Sequence, residues 1–244
     1  MSMPVVRIPR WMHLMASGRW PLEPSVQDCS SDDTRGKLFI VSHHVNIIGK
    51  PSKSEARRLI RRARASIPPL ERYAAESAVA MQAKQLGLLR RGLKIAAYIP
   101  AGSEFSPWIL MLRALLGGVE VYLPQVPKRG RKLNFVRLDA KNRWKLGPQN
   151  ILEPQSGMPC SPRDLDIVFL PLLGFDSNLA RLGQGGGYYD CTFEFRRWRR
   201  VWKKPRLVGL AFDVQHVEQL AVDSWDLRLD YILSGQKIWR NPNR

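Results

Sequence analysis

The period of the apolar positions changes several times along the chain. Between 52 and 89, Leu59, Ile60, Ala63 and Ile67 recur at helical spacing. They predict a long helix capped by Ser52 or Ser54 and broken in two by Pro68-Pro69. LKIAAYIP (93–100) is almost continuously apolar and predicts a buried strand. Over 105–116 the helical spacing returns, with Ile109, Leu112 and Leu116 on one face, and Gly117-Gly118 ends that helix. VEVYLP (119–124) predicts a second strand, and the alternating KLNFVRL (132–138) an exposed or edge strand. DIVFLPLL (166–173) is a third apolar strand, 188–202 a helix, RLVGLAF (206–212) a fourth strand, and LDYIL (229–233) closes the pattern.

Strands that are apolar throughout and alternate with helices imply a mostly parallel sheet covered on both faces. The fold class is therefore α/β: a single-domain, three-layer, open Rossmann-like fold. In such folds ligands bind outside the carboxyl ends of the strands. The domain spans 49–240. Residues 1–48 mix Pro, Gly, Ser and Asp without a sustained period and predict a poorly ordered extension. Its start, MSMPVVRIPRWMHLM, lacks the apolar core and cleavage site of a secretory signal. No run of about 18 apolar residues predicts a membrane span.

Charge narrows the partner. The chain has 244 residues and a net charge of +18, much of it in KSEARRLIRRARAS (53–66) and FRRWRRVWKKPR (195–206). That excess points to an anionic ligand: nucleic acid, nucleotide or a polyanionic metabolite. Trp198 and Trp202 recur at helical spacing in the second cluster and are expected to pack inward, leaving the charges solvated or facing a ligand entrance. Cys29, Cys160 and Cys191 are far apart and make neither a zinc spacing nor a disulfide framework, which fits a reducing, cytoplasmic compartment. The pair His43-His44 stands without further metal ligands nearby.

The densest chemistry lies in RLGQGGGYYD (181–190). Glycines there let backbone N–H groups approach an anion without interference from Cβ. The following helix start favours negative charge. Arg181 can pair with a phosphate oxygen, and Asp190 can hold a magnesium ion that bridges to it. The stretch thus suits a phosphate-and-metal cradle, although for the glycines alone a tight flexible turn fits equally well. It matches neither familiar phosphate loop: there is no G-K-[ST], and Tyr188 stands where a G-x-G-x-x-G frame needs its last glycine.

GFDSNLARLGQGGGYYD resembles the signature of the 5-formyltetrahydrofolate cyclo-ligase family (5,10-methenyltetrahydrofolate synthetase). Four further elements in family order support the resemblance over roughly 50–235. They are Lys53 and Arg57 on an opening helix; Tyr98, Pro100 and Glu104 after the first strand; Ile151, Glu153 and Pro154 in a turn; and a closing set of Ala211, Phe212 and Gln215 followed by Asp226, Leu229 and Asp230. The sequence departs from the family where Leu179 and Asn150 replace glycines, Ala221 replaces a proline, and Trp225 precedes Asp226.

The resemblance implies a cyclo-ligase fold related to the NagB-like group. It also implies an ATP- and Mg²⁺-dependent, carbon–nitrogen bond-forming ligase. Its substrate would be 5-formyltetrahydrofolate, which can carry a polyglutamate tail. Phosphorylating the formyl oxygen makes a leaving group, N10 of the same folate attacks the carbon, and 5,10-methenyltetrahydrofolate, ADP and phosphate are released. The second nucleophile is intramolecular, so orientation and stabilisation of phosphoryl charge are the main demands.

By matched position, Lys53 and Arg181 are the catalytic candidates. Lys53, Arg57, Arg181, Leu182, Gly183, Gln184, Gly185, Gly186, Gly187, Tyr188 and Tyr189 would hold ATP. Arg57, Glu104, Gly186 and Tyr188 would hold the folate, and Asp190 and Asp226 the magnesium. Tyr98 is expected in the core. The expected state is a monomer with no obligate nucleic-acid partner and no membrane association. Two other readings stay open: a basic α/β protein associated with nucleic acid, and a folate-binding homologue that lacks turnover, which Leu179 keeps in view.

Overall fold

A computed structural model describes residues 53–199, 204–220, 223 and 226–240. The expected extension over 1–48, the Ser52 cap, Trp202, Ala221 and Trp225 lie outside the described residues. Two helices, α1 (Lys53–Ala65) and α2 (Pro69–Gln85), replace the single long pattern, and the break falls at Pro68 as the sequence predicts. Pro at the start of α2 costs nothing, because the first N–H groups of a helix have no partner there. The third helix, α3, is shorter than expected, Trp108–Leu116, with Pro107 preceding it and Gly117 ending it.

The strands, in chain order, are β1 (Lys94–Ala96), β2 (Glu120–Gln125), β3 (Asn134–Arg137), β4 (Trp144–Leu146), β5 (Leu152–Pro154), β6 (Pro159–Cys160), β7 (Ile167–Pro171), β8 (Gly174–Phe175), β9 (Arg181–Leu182), β10 (Arg206–Leu210), β11 (Tyr231–Leu233) and β12 (Ile238–Arg240). Eight of them form one sheet in the order β12-β11-β10-β7-β1-β2-β3-β6, while β4 pairs with β5 and β8 with β9 in separate hairpins. The run from β11 to β2 is parallel, and β12, β3 and β6 are antiparallel at the two margins. The mostly parallel sheet predicted from sequence is present. The alternating stretch at 132–138 is indeed near a margin, with only the two-residue β6 outside it.

Alternation along the strands sorts the core into two faces. Ile167 and Phe169 point with Ile95, Val121, Val208 and Leu210 to the side covered by α2 and α3, through Val79, Ala83, Leu110 and Met111. Val168 and Leu170 point the other way, with Leu207, Ile232, Phe135 and Phe193. A third small cluster sets Ala56 and Ile60 of α1 against Leu173, Leu182 and Val217. It holds α1 over the carboxyl end of the sheet rather than over its face.

One expected element fails. The predicted helix over 188–202 is a five-residue α4 (Tyr188–Thr192) followed by a 3-10 turn at Glu194–Arg197. Thr192 Oγ1 donates to the Tyr188 carbonyl at 2.6 Å and also accepts the Leu133 N–H at 2.8 Å, a local competition that bends helices. Arg196 then turns inward to meet Asp230 at 2.7 Å, with the two side chains 4% and 8% exposed. Burial pushes the Arg196 guanidinium down to about 10. Trp198, expected to pack inward, is 83% exposed, because the inward direction on this turn is already taken by Arg196. Among the described residues no helix is long and apolar enough to cross a membrane.

Candidate active site

The parallel order reverses at β1. The chain runs from β1 to β2 on one side, and β7 enters on the other. This is the switch point where a crevice opens beyond the strand ends. The segments leaving the carboxyl ends of β1 and β7 therefore line it: the turn at 101–104, and the stretch from 172 to 190.

That second segment begins as the hairpin of β8 and β9. Its turn is organised by Asp176, which is buried. Oδ1 accepts the N–H groups of Asn178 and Ala180 at 2.9 and 3.0 Å, and Oδ2 accepts that of Leu220 at 3.2 Å. Leu179 sits in this turn with φ of 60° and a fully buried side chain. Asn150, the other residue replacing a family glycine, also has φ of 60°. Both substitutions thus keep the left-handed backbone a glycine would give. At Leu179 the strain costs about 1–2 kcal/mol, which a buried leucine offsets with about 2 kcal/mol or more.

Helix α1 crosses the hairpin with Lys53, Arg57 and Arg61 four residues apart on one side. Arg57 Nε donates to the Gly183 carbonyl at 3.1 Å, and Arg61 Nη2 to Gln184 Oε1 at 3.1 Å. Gln184 Nε2 donates in turn to Glu104 Oε1 at 3.0 Å, and Glu104 Oε2 accepts the Ala101 N–H at 3.0 Å. The glycine run is thus tied to both α1 and the turn after β1. Gly185 has φ of 110° with open space where a Cβ would stand, whereas a Cβ on Gly186 would come within 2.9 Å of the Tyr188 ring. The helix start at Gly187 belongs to a helix of only five residues, so its dipole adds less than the sequence suggests.

Below the run, Arg181 Nη2 donates to Asp190 Oδ1 at 2.6 Å, and the Leu227 N–H reaches the same oxygen at 3.2 Å. Arg181 is 5% exposed at its side chain and its buried Nε has no partner. Lys53 Nζ lies 2.5 Å from Asp223 Oδ2 and 3.7 Å from Asp226 Oδ2. The Asp223 N–H donates to Asp226 Oδ2 at 2.9 Å. The bond to Asp223 raises the Lys53 ammonium above its usual range. Tyr189 stacks on Phe193 (ring centroids 6.4 Å apart), and burial raises its hydroxyl far above the ordinary value; the Glu104 charge adds to this and Arg181 opposes it. Tyr98 is core, as expected, and its hydroxyl donates to the Phe105 carbonyl at 2.7 Å.

The expected site residues therefore converge. Lys53, Arg57, Glu104, Arg181, the run from Gly183 to Gly187, Asp190 and Asp226 share one region, while Tyr189 packs toward the second core face. Asp190 accepts the N–H of Leu227, the residue that follows Asp226, while the Asp226 carboxylate faces Lys53 Nζ at 3.7 Å. Among the described residues no group of three or more acidic, histidine or cysteine side chains gathers. Two carboxylates beside an open glycine run still suit magnesium, which takes one or two carboxylates and completes its shell with phosphate oxygens and water. The buried, unpartnered Nε of Arg181 and the bare backbone at Gly185 suit a phosphate in the same way. Sequence reasoning missed Arg61 and Asp223. Arg61 continues the four-residue spacing of Lys53 and Arg57; Asp223 has no local signal.

The sequence model of the 5-formyltetrahydrofolate cyclo-ligase family matches residues 49–235. The chain is 35% identical over 188 residues to the 5-formyltetrahydrofolate cyclo-ligase of Haemophilus influenzae, covering 75% of this chain and 97% of that protein. It is 31% identical over 150 residues to the protein of the same name from Escherichia coli K12, covering 59% of this chain and 79% of that one. The solved structure of Aquifex aeolicus 5,10-methenyltetrahydrofolate synthetase superimposes with a TM-score of 0.65 at 28% identity, over 78% of this chain and 93% of that one. The chain belongs to the 5-formyltetrahydrofolate cyclo-ligase family.

Proposed function

We propose that this member of the 5-formyltetrahydrofolate cyclo-ligase family converts 5-formyltetrahydrofolate into 5,10-methenyltetrahydrofolate in the cytoplasm, as a monomer, in a Mg²⁺-dependent reaction that consumes ATP and releases ADP and phosphate. The observation that carries this reading is the convergence of Arg57, Arg181, Glu104 and Asp190 on one glycine run at the carboxyl ends of β1 and β7.

When bound, ATP supplies the phosphoryl group that turns the formyl oxygen into a leaving group, and magnesium neutralises phosphate charge. Lys53 and Arg57 place positive charge along the phosphates from α1. Arg181, with the backbone from Leu182 to Gly187, cradles the transferring end, where preset N–H and guanidinium donors need no reorganisation as charge develops. Asp190 and Asp226 hold the metal. Arg57, Gly186 and Tyr188 border the folate. Glu104 orients it by accepting ring N–H groups, replacing the bond it takes from Gln184. Lys53 and Arg181 are the catalytic residues, and the chain needs no nucleophile of its own because N10 is held beside the reacting carbon.

The test is the near-ultraviolet absorbance of the methenyl-folate product after mixing the purified chain with 5-formyltetrahydrofolate and Mg²⁺, with and without ATP. An ATP-dependent rise, with a higher ATP requirement in Arg181→Ala, supports the reading. Folate and ATP binding without product would replace it with a binding protein that lacks turnover. Unchanged ATP kinetics in Arg181→Ala would remove that residue from the phosphate site.

A further inference from the structure

A strongly charged face borders the cradle, with Arg131 Nη1 3.6 Å from where a Cβ on Gly187 would stand. The loop at 128–132 and the segment at 191–194 enclose an open groove of about 530 Å³ lined by Arg129, Gly130, Arg131, Lys132, Cys191 and Glu194. Lys132 is neutralised by Glu194 at 2.7 Å, whereas Arg129 and Arg131 form no ion pair among the described residues. Glu194 opens the 3-10 turn after α4, so the groove continues directly into that turn.

The turn adds aromatic surface to the charge. The guanidiniums of Arg163 and Arg199 each lie 4.7 Å from the centroid of the Phe195 ring. Next to them Arg197 is exposed, and Trp198 presents an indole that is 83% exposed. An indole left in water costs roughly as much as its burial would return. Here the buried Arg196–Asp230 pair fixes the turn so that Trp198 faces outward.

We propose that this face binds single-stranded nucleic acid. Arg129, Arg131 and Arg197 would meet the phosphates, and an unpaired base would stack on Trp198, the combination of basic groove and aromatic platform that recognises unpaired strands. An acidic peptide would satisfy the arginines but has no flat ring system for the indole, and a duplex hides its base faces. Trp198 and Arg197 lie outside the proposed folate and ATP cradle, so the inference stands or falls apart from the cyclo-ligase reading.

The experiment uses the full chain and a fluorescein-labelled oligouridine of about twelve nucleotides, followed by anisotropy at several salt concentrations. For those three phosphate contacts, the logarithm of the association constant should fall against the logarithm of salt with a slope of roughly −2. Trp198→Ala should weaken binding about tenfold or more while keeping that slope. Arg129→Glu with Arg197→Glu should both weaken binding and flatten the slope. Both sets of variants should retain the fold, since these side chains are exposed, and should retain cyclo-ligase turnover. The proposal is overturned by absence of binding at low salt, by binding indifferent to Trp198→Ala, or by equal displacement with polyglutamate of matched charge.

Discussion

Arg181 and Asp190 form an ion pair of 2.6 Å in which the arginine is nearly buried and the carboxylate is 22% exposed. The phosphate-binding and metal-binding candidates are therefore not independent groups. Each is oriented by the other, and a change at one alters the charge state felt by its partner.

Asp190→Asn keeps an oxygen that can accept from Arg181 and from the Leu227 N–H but removes the charge. Stability should fall by about 1–3 kcal/mol, since a buried guanidinium loses its counter-ion. Turnover should drop by a far larger factor and should not recover at high Mg²⁺. Thermal unfolding and a magnesium titration of turnover separate the two effects. Normal turnover with an unchanged Mg²⁺ requirement would leave Asp190 with a structural role alone.

Gly186→Ala brings a methyl to 2.9 Å from the Tyr188 ring. The ring must swing away, because the backbone of the run is tied at Gly183 and Gln184. Stability should change by less than about 1 kcal/mol at so exposed a site, while KM for folate and ATP rises. An unchanged KM for both ligands would place Tyr188 outside the ligand site.

Leu179→Gly relieves the left-handed strain of about 1–2 kcal/mol but empties a fully buried leucine site, which costs about 2–5 kcal/mol. The net expectation is a protein less stable than the parent. Turnover should be retained, since Asp176 still bonds the N–H groups of Asn178 and Ala180. Chemical denaturation reads the sign. A more stable variant would show that the strain, not the burial, dominates this turn.

Asp166 works at the opposite end of the sheet. It accepts the Lys94 N–H at 2.9 Å and a bond from Lys204 Nζ at 2.5 Å, joining the starts of β1 and β10. Burial alone would raise its carboxyl, but those two donors hold it below the usual carboxylate value of 3.8. A depressed folded value stabilises the fold above 3.8, and the contribution is lost as pH falls through the lower folded value. Asp166→Asn should therefore unfold with a shallower acid limb and an unchanged KM. An identical acid limb in the variant would show that Asp166 is not linked to folding.

Much of the fold is legible in the sequence because strand and helix periods are local. Continuous apolar runs placed β1, β2, β7 and β10, Pro68-Pro69 split the first helix, and the glycine run stood out by composition. The 3-10 turn at Glu194–Arg197 was not legible, since its cause is the pull of Asp230 on Arg196 from 34 residues away. Trp198 fits a helical pattern with Trp202, yet the pattern carries no information about a turn that interrupts it. Arg61 could have been found by extending the spacing of Lys53 and Arg57 by one more turn.

The α/β class, the order of the main strands along the chain and the glycine stretch proposed as the cradle are written locally, since period, turn residues and bare backbone are encoded within a few positions. Which charges meet is a matter of tertiary structure. Lys53 and Asp223 are 170 residues apart; Glu104 reaches Gln184 across 80. The packing of Ile60 over Gly174 sets how closely α1 approaches the hairpin. Such pairings depend on where folded elements come to rest, and the free energy that places them is spread through the core.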